Sequence, residues 1–380
     1  MYQETLRPAW VEISLSNLTH NIRRVIEKVG DAGRIIGVIK ADAYGHGAVR
    51  TAEVLRQNGI RRFAVANLTE AIELRDAGFT EEQILVLGLI PSPYADFAAA
   101  YDLTVVLCDS ENALAFSEAA RKRGRTVRAL IAVDTGMGRI GYLAEDAVSA
   151  AADIRKILSL PALEILGICS HLSTADAADK TYCRHQEAQF LAFDRVLREN
   201  GLDLPVRTIA NSASITELPE LIFDFVRPGI ILYGCYPSEE VDRTKIDLRP
   251  VMSVKANIVH LKEVPAGFSI SYGRAFTTTR PSRIATIGIG YADGFPRAYS
   301  QKARALVHGI SVPIAGNICM DQCMLDVTDA PACKIGDEVI LMGSDGKNRI
   351  TAEEIAEATE TINYEVLCAF GQRLPKIYLP

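Results

Sequence analysis

The sequence predicts an α/β protein: an N-terminal (β/α)8 barrel followed by a C-terminal, mostly β domain. Three observations carry this. The first half repeats one unit, an apolar run, a polar turn and an amphipathic helix, and it does so eight times. The apolar runs are nearly continuous rather than alternating, as in parallel strands buried on both faces. After about Asp242 the texture changes to strand-like runs split by Gly, Pro and Asp, with few helical patterns.

The eight runs are RIIGVIK (34–40), RFAVAN (62–67), ILVLG (84–88), LTVVLC (103–108), VRALIAVD (127–134), LEILGICSH (163–171), VRTIAN (206–211) and LIFDFVR (221–227). Four of the helices between them end near Gly59, Gly78, Gly124 and Gly201, where glycine suits the left-handed residue that follows a helix. In HQEAQFLAFDRVLREN, Phe190, Phe193, Val196 and Leu197 recur at helical spacing and are expected to cover the sheet. An open doubly wound sheet shares the alternation, but the count of eight in this length favours the barrel.

Before the first unit, AWVEISL (9–15) reads as a strand with Val11, Ile13 and Leu15 on one face. Ser16 is expected to cap the next helix, whose Ile22, Val25, Ile26 and Val29 face inward. The barrel domain is placed at 13–242 and the β domain at 243–380, with the N-terminal strand, within 1–12, expected to join the latter. That domain offers strand runs at 251–264, 283–290, 303–316, 317–329 and 337–343 and one clear helix at 352–360.

The bulk properties exclude several classes. The chain has 380 residues, 48% hydrophobic and 23% charged, with a net charge of −6. No basic footprint favours nucleic acid, no window approaches a bilayer span, and the first residues do not read as a signal peptide. Eight cysteines without a CxxC pair read as free thiols of a cytoplasmic protein. Cys319 and Cys323 lack the second ligand pair that a zinc site needs.

A barrel of this kind gathers its chemistry where the strands end. Lys40 closes the first strand, Asp134 and Arg139 follow the fifth, His171 the sixth, Asn211 and Ser212 the seventh, Arg227 and Gly229 the eighth. Each residue alone has a plain reading: a solvated lysine, a structural histidine, an ordinary helix cap, an exposed arginine. Their convergence on one rim is what gives them weight. The loops after strands seven and eight are the usual phosphate site of such barrels, where backbone amides and a hydroxyl cradle a phosphate. A lysine beside that site suggests an imine to pyridoxal phosphate.

VIKADAYGHGA (38–48) resembles the cofactor-attachment segment of the alanine racemase family. The likeness continues through DTGMGRIGY, SHLSTAD, ANSA, VRPGIILYG, SYGRAF, IGYADGFPR, NICMDQ and INYEVLCAF, in order, along nearly the whole chain. The resemblance implies a pyridoxal-5′-phosphate-dependent racemase of L- and D-alanine, supplying D-alanine for peptidoglycan. It also implies a homodimer that shares its active sites. Lys40 and Tyr272 are then the two bases, the latter supplied by the other subunit. Tyr44, His171, Asn211, Ser212, Gly229, Ile230 and Tyr364 surround the cofactor, and Arg227 faces the pyridine nitrogen. Arg139 and the backbone of Met320 hold the substrate carboxylate. Tyr291 and Asp321 line the access route.

One departure stands out. Many family members carry a carbamylated lysine seven residues before the substrate-binding arginine, and Ala132 occupies that place here. Three rival readings are a serine or broad-specificity racemase, a non-catalytic pyridoxal-phosphate carrier on a barrel of this kind, and a barrel decarboxylase, which is expected to place a carboxylate instead of Arg227 at the pyridine nitrogen. The resemblance gives such carriers no β domain, so residues 243–380 weigh against the second.

Overall fold

The computed structural model describes residues 6–371 and 373–380; residues 1–5 of the expected N-terminal strand lie outside it. The chain opens with β1 (Ala9–Ser14) and α1 (Leu15–Val29). Leu15 starts the helix instead of ending the strand. The cap is Ser14, whose Oγ accepts the Asn17 amide at 3.2 Å, so the N-terminus falls before Ser16. Ile22, Val25 and Val29 are buried as expected, and Ile26 is half-buried.

Contacts divide the chain into two compact units. One comprises residues 19–43 and 48–248; the other comprises the described residues up to Leu18, then 44–47 and 249–380. The first unit is the parallel α/β barrel. Its strands are β2 (Gly37–Val38), β3 (Arg62–Val65), β4 (Gln83–Val86), β5 (Thr104–Leu107), β6 (Val127–Asp134), β7 (Leu163–Cys169) and β8 (Val206–Thr208), paired in that order and all parallel. The helices between them are α2 (Ala48–Gln57), α3 (Leu68–Asp76), α4 (Ala95–Ala100), α5 (Ser110–Lys122), α6 (Ala147–Ser159) and α7 (Thr181–Glu199). Gly59, Gly78, Gly124 and Gly201 all take positive φ after their helices, which costs a glycine no Cβ clash.

The eighth run is not a regular strand. Residues 219–221 form a 3-10 turn, and beside β2's chain the segment forms a single parallel bridge, Ile35 to Val226, in place of a ladder. It still closes the ring. Asp224 and Arg227 donate their amides to Arg207 O and Ala210 O on one side, at 3.1 and 2.9 Å. On the other side Ile36 N reaches Val226 O and Val38 N reaches Pro228 O, both at 2.9 Å. Asp224 explains the irregularity: its carboxylate accepts the Arg207 amide at 2.8 Å, a place that a strand carbonyl would otherwise fill.

The second unit is built on β9 (Met252–Val264), which pairs antiparallel with β1, with β14 (Glu338–Ser344) and, beyond a bulge after Ile258, with β10 (Ser282–Ile287). The predicted 303–316 run is a hairpin, β11 (Arg304–Val307) and β12 (Ile310–Pro313), turned at His308 and Gly309, both with positive φ. β13 (Cys323–Asp326) pairs with β10, and β15 (Lys376–Leu379) lies parallel to β1. Lys255 on β9 bridges Glu12 and Glu338 on its two neighbours, at 2.8 and 2.9 Å. Helix α9 (Ala352–Thr359) is joined by a second helix that hydrophobic patterning did not single out, α10 (Asn363–Ala369).

Phe190, Phe193 and Leu197 of α7 are fully buried. Phe193→Ala is expected to lower the unfolding free energy by about 3–5 kcal/mol, with Phe193→Leu costing less, in denaturant titrations followed by circular dichroism.

Candidate active site

The barrel rim is organised first by backbone. Directly after β2, Ala41, Asp42, Ala43 and Tyr44 all have φ between 52° and 55°, a left-handed turn made of L-residues other than glycine. Each such residue costs about 1–2 kcal/mol. The turn begins at Lys40, which is half-buried. Within it Ala43 N bonds Ile39 O at 2.9 Å and Ala48 N bonds Asp42 Oδ1 at 2.7 Å, while Ala41 N is taken by the Glu70 carboxylate at 2.8 Å.

Around Lys40 the barrel gathers positive charge. Arg227 is buried; one terminal nitrogen donates to Thr208 Oγ1 and the other to Ser170 O, which aims its plane along the strand ends. Burial lowers its pKa, the neighbouring Cys169 opposes that shift, and Arg139 adds to it. An arginine nonetheless stays protonated throughout the working range. Burial also pushes the Cys169 thiol up to about 11. His171 shows the field most clearly: burial first, then Arg227, Arg139 and Lys40, hold its pKa at about 3, so the imidazole is neutral.

Arg139 is exposed, on a loop that Asp134 winds around its own carboxylate. Oδ1 accepts Gly136 N and Gly138 N at 2.9 and 3.0 Å, and Oδ2 accepts Arg139 N at 3.1 Å. Those amides keep the Asp134 carboxyl below its usual pKa, against burial. Ala132 is buried on β6 and offers only a methyl group at that position.

Two strands further along the ring, Asn211 caps α8 (Ser212–Glu217), its Oδ1 accepting Ala213 N and Ser214 N, both at 3.1 Å. Ser212 Oγ accepts Gly229 N at 2.8 Å and so ties this loop to the 3-10 turn Ile230–Tyr233. The amides of Ser212 and Ile230 open these two turns, where helix geometry provides no acceptor. The donors here are amides and a hydroxyl, a set suited to a phosphate dianion. The barrel residues present therefore fit a lysine-linked, phosphate-bearing cofactor.

The remaining predicted residues belong to the second unit. Tyr44 is buried, its ring 6.1 Å from that of Tyr364 on α10; burial and then Cys368 raise its phenol above the ordinary value. The glycines after Tyr44 are required there. Gly45 and Gly47 have positive φ, and a Cβ would lie 2.6 Å from Leu367 O in one case and 1.9 Å from Tyr378 Oη in the other. Tyr272 is 68% exposed, yet its backbone is clamped: Asn317 Nδ2 donates to Tyr272 O at 2.8 Å and Ser271 Oγ to Asn317 O at 2.6 Å. Tyr291 and Met320 are exposed on two loops joined by Tyr291 N to Cys319 O and Ala292 N to Met320 O, both 3.0 Å. Asp321 is engaged by Arg373 at 2.7 Å.

Sequence reasoning missed Thr208 and Ser170, the residues that aim Arg227. Nothing in the pattern marks a strand-end threonine or a backbone carbonyl as a support. Among the described residues no cluster of His, Cys, Asp and Glu could hold a metal, and no helix is long and apolar enough to cross a membrane.

Two family models match the chain: "Alanine racemase, N-terminal domain" over residues 13–237 and "Alanine racemase, C-terminal domain" over residues 251–378. Alanine racemase 1 of Clostridium acetobutylicum is 45% identical over 98% of this chain and 96% of its own length. The alanine racemase of Clostridium kluyveri is 46% identical over 100% and 96%. Among solved structures, alanine racemase of Clostridium difficile 630 superposes with a TM-score of 0.93 at 39% identity, covering 98% of this chain and 96% of that one. Bacillus anthracis alanine racemase with bound L-Ala-P gives 0.91 at 34%, covering 98% and 95%.

The depressed His171 pKa carries a pH signature. Unfolded chains take up a proton near 6.5 that the folded protein refuses until about 3. His171 therefore favours the folded state fully above pH 6.5, and this contribution is lost progressively as the pH falls towards 3. His171→Asn should flatten that part of the stability–pH curve, measured as urea midpoints between pH 7 and pH 4.

Proposed function

The chain belongs to the alanine racemase family, a family of pyridoxal-phosphate-dependent isomerases, and we propose that it interconverts L- and D-alanine with two bases on opposite faces of the substrate. The observation that carries this reading is the barrel closure. The Val38 N to Pro228 O bond ties the strand ending in Lys40 to the Arg227–Gly229 loop, and Gly229 N is bonded to Ser212. An amine, a buried arginine and an amide cradle for phosphate thus share one rim.

In this reading Lys40 would hold the cofactor covalently, and Ser212, Gly229, Ile230, Tyr44 and Tyr364 would hold its phosphate. Bound there, the cofactor supplies an electron sink for the charge left when the α-proton departs. Arg227 is fixed by Thr208 and Ser170 and cannot give up its proton, so facing the pyridine nitrogen it would leave that nitrogen unprotonated and keep the sink moderate. That restraint suits a reaction whose only net change is the position of one proton. Neutral His171 and Asn211 complete the polar surround of the ring. A neutral imidazole takes part as a hydrogen-bond partner and adds no further cation beside Lys40 and Arg139.

The Lys40 amine would move the proton on one face of the substrate. The phenol of Tyr272 from a second copy of the chain moves it on the other. Its exposed ring on a clamped backbone supports action outside its own chain. The homodimer follows from this role. Arg139 pairs with the substrate carboxylate, helped by the Met320 backbone, while Tyr291 and Tyr364 narrow the space to a small side chain and Asp321 borders the access route. Eight free thiols support the cytoplasm as the place of action, and D-alanine for peptidoglycan is the proposed use of the product.

The test is a racemisation assay with pyridoxal phosphate on L-alanine, L-serine and L-lysine, run beside Tyr272→Phe. Alanine should turn over fastest. The variant should lose at least about a hundredfold in α-proton exchange from L-alanine while still binding it. Equal rates on all three substrates would point to a broad racemase, and undiminished exchange in the variant would rule out the second base.

A further inference from the structure

A left-handed run of ordinary L-residues persists only where its surroundings over-determine it. Two of the bonds that hold residues 41–43 are local, Ala43 N to Ile39 O and Ala48 N to Asp42 Oδ1. Another comes from 29 residues away: Glu70 Oε1 accepts Ala41 N at 2.8 Å, the first amide after Lys40. Its other oxygen accepts Ala66 N at 2.6 Å, just past the end of β3, the strand beside β2.

The sequence around Glu70 makes this arrangement informative. Asn67-Leu68-Thr69-Glu70 has the form of a capping box at the start of α3, and Asn67 Oδ1 does accept Glu70 N at 3.1 Å. In such a box the glutamate reaches back to the amide of the cap residue itself. Here it passes that amide by. One oxygen goes to the residue before the cap, and the other leaves the helix for Ala41. An ionised carboxylate is an acceptor at both oxygens, and few other side chains can hold two amides from different strands at once.

We propose that Glu70 is a positioning residue for Lys40, its carboxylate fixing the direction in which the chain leaves β2 and so where the amine stands over the cofactor. This rests on the reading that Lys40 carries the cofactor. Glu70 has no contact with the reacting atoms; it acts through the Ala41 amide. Substitution by glutamine keeps the size but turns one acceptor into a donor that faces an N–H. Substitution by aspartate keeps the charge but shortens the reach.

The experiment uses the full-length holoenzyme and the variants Glu70→Gln, Glu70→Asp and Asn67→Ala, the last removing the helix cap without touching Ala41. Cofactor affinity is read by absorbance titration with pyridoxal phosphate, amide exchange by mass spectrometry of the peptide spanning 40–48, and kcat and KM for alanine separately. Glu70→Gln should weaken cofactor binding and lower kcat by at least about tenfold each, speed exchange at Ala41, and leave KM nearly unchanged, because a displaced amine costs rate before it costs substrate affinity. Glu70→Asp should fall between it and the wild type. Asn67→Ala should lower the melting temperature and leave cofactor affinity and kcat as they were.

If Glu70→Gln keeps wild-type affinity and kcat, or if Asn67→Ala reproduces all of its effects, the carboxylate is only a helix cap and the proposal fails. Borohydride reduction of the wild-type holoenzyme with peptide mapping separates the two layers. Label on a residue other than Lys40 overturns the cofactor reading, whereas label on Lys40 with a silent Glu70→Gln overturns the positioning role alone.

Discussion

The barrel is completed by very little, and the site depends on that completion. Seven parallel strands pair in sequence, but the ring closes through one bridge at Val226 and a handful of amide bonds on either side of it. Those bonds set Arg227, Pro228 and Gly229 beside the chain that leads to Lys40. Were residues 224–228 to part from residues 34–38, the lysine, the buried arginine and the amide cradle would become features of three separate loops. Closure explains why a short, irregular segment can serve where a strand was expected: what it supplies is adjacency, and two or three bonds per side suffice.

Closure also fixes the electrostatics. Lys40, Arg139 and Arg227 converge on His171 strongly enough, together with burial, to keep its proton off until about pH 3. Assembling like charges is costly, and in the proposed reading an anionic phosphate and an amino-acid carboxylate would offset that cost. The left-handed turn after Lys40 is a second local cost accepted at the same place. Strain and charge crowding occur together at the rim, as they do where a protein gives up local stability for a fixed arrangement of reacting groups.

Much of this was legible in the residues. The repeat of apolar run and helix gave seven of the eight barrel elements, because buried parallel strands leave an unbroken apolar signature. The glycines that end the helices were visible for the same kind of reason: their backbone admits few other residues. The eighth element misled because LIFDFVR is as apolar as a strand, while Asp224 inside it competes for the Arg207 amide, a choice only the folded arrangement decides. Helix α10, short and bearing Tyr364, lacks the span that reveals a period. Lys40 could be singled out as a cation at the end of an apolar strand. The supports around it could not: Thr208 and Ser170 hold Arg227 by where they stand, and the Glu70 motif looks like any capping box until its second oxygen is followed to Ala41.

The most direct test of the central claim, that ring closure assembles one cofactor pocket from the ends of β2, β8 and the Val226 segment, is a crystal structure of the protein grown with pyridoxal phosphate. The account predicts continuous density from Lys40 Nζ to the cofactor, its phosphate on the amides of Ser212 and Ile230 beside the Ser212–Gly229 tie, and its ring nitrogen facing Arg227. A cofactor bound elsewhere, or a phosphate held away from those amides with Lys40 unmodified, would contradict it.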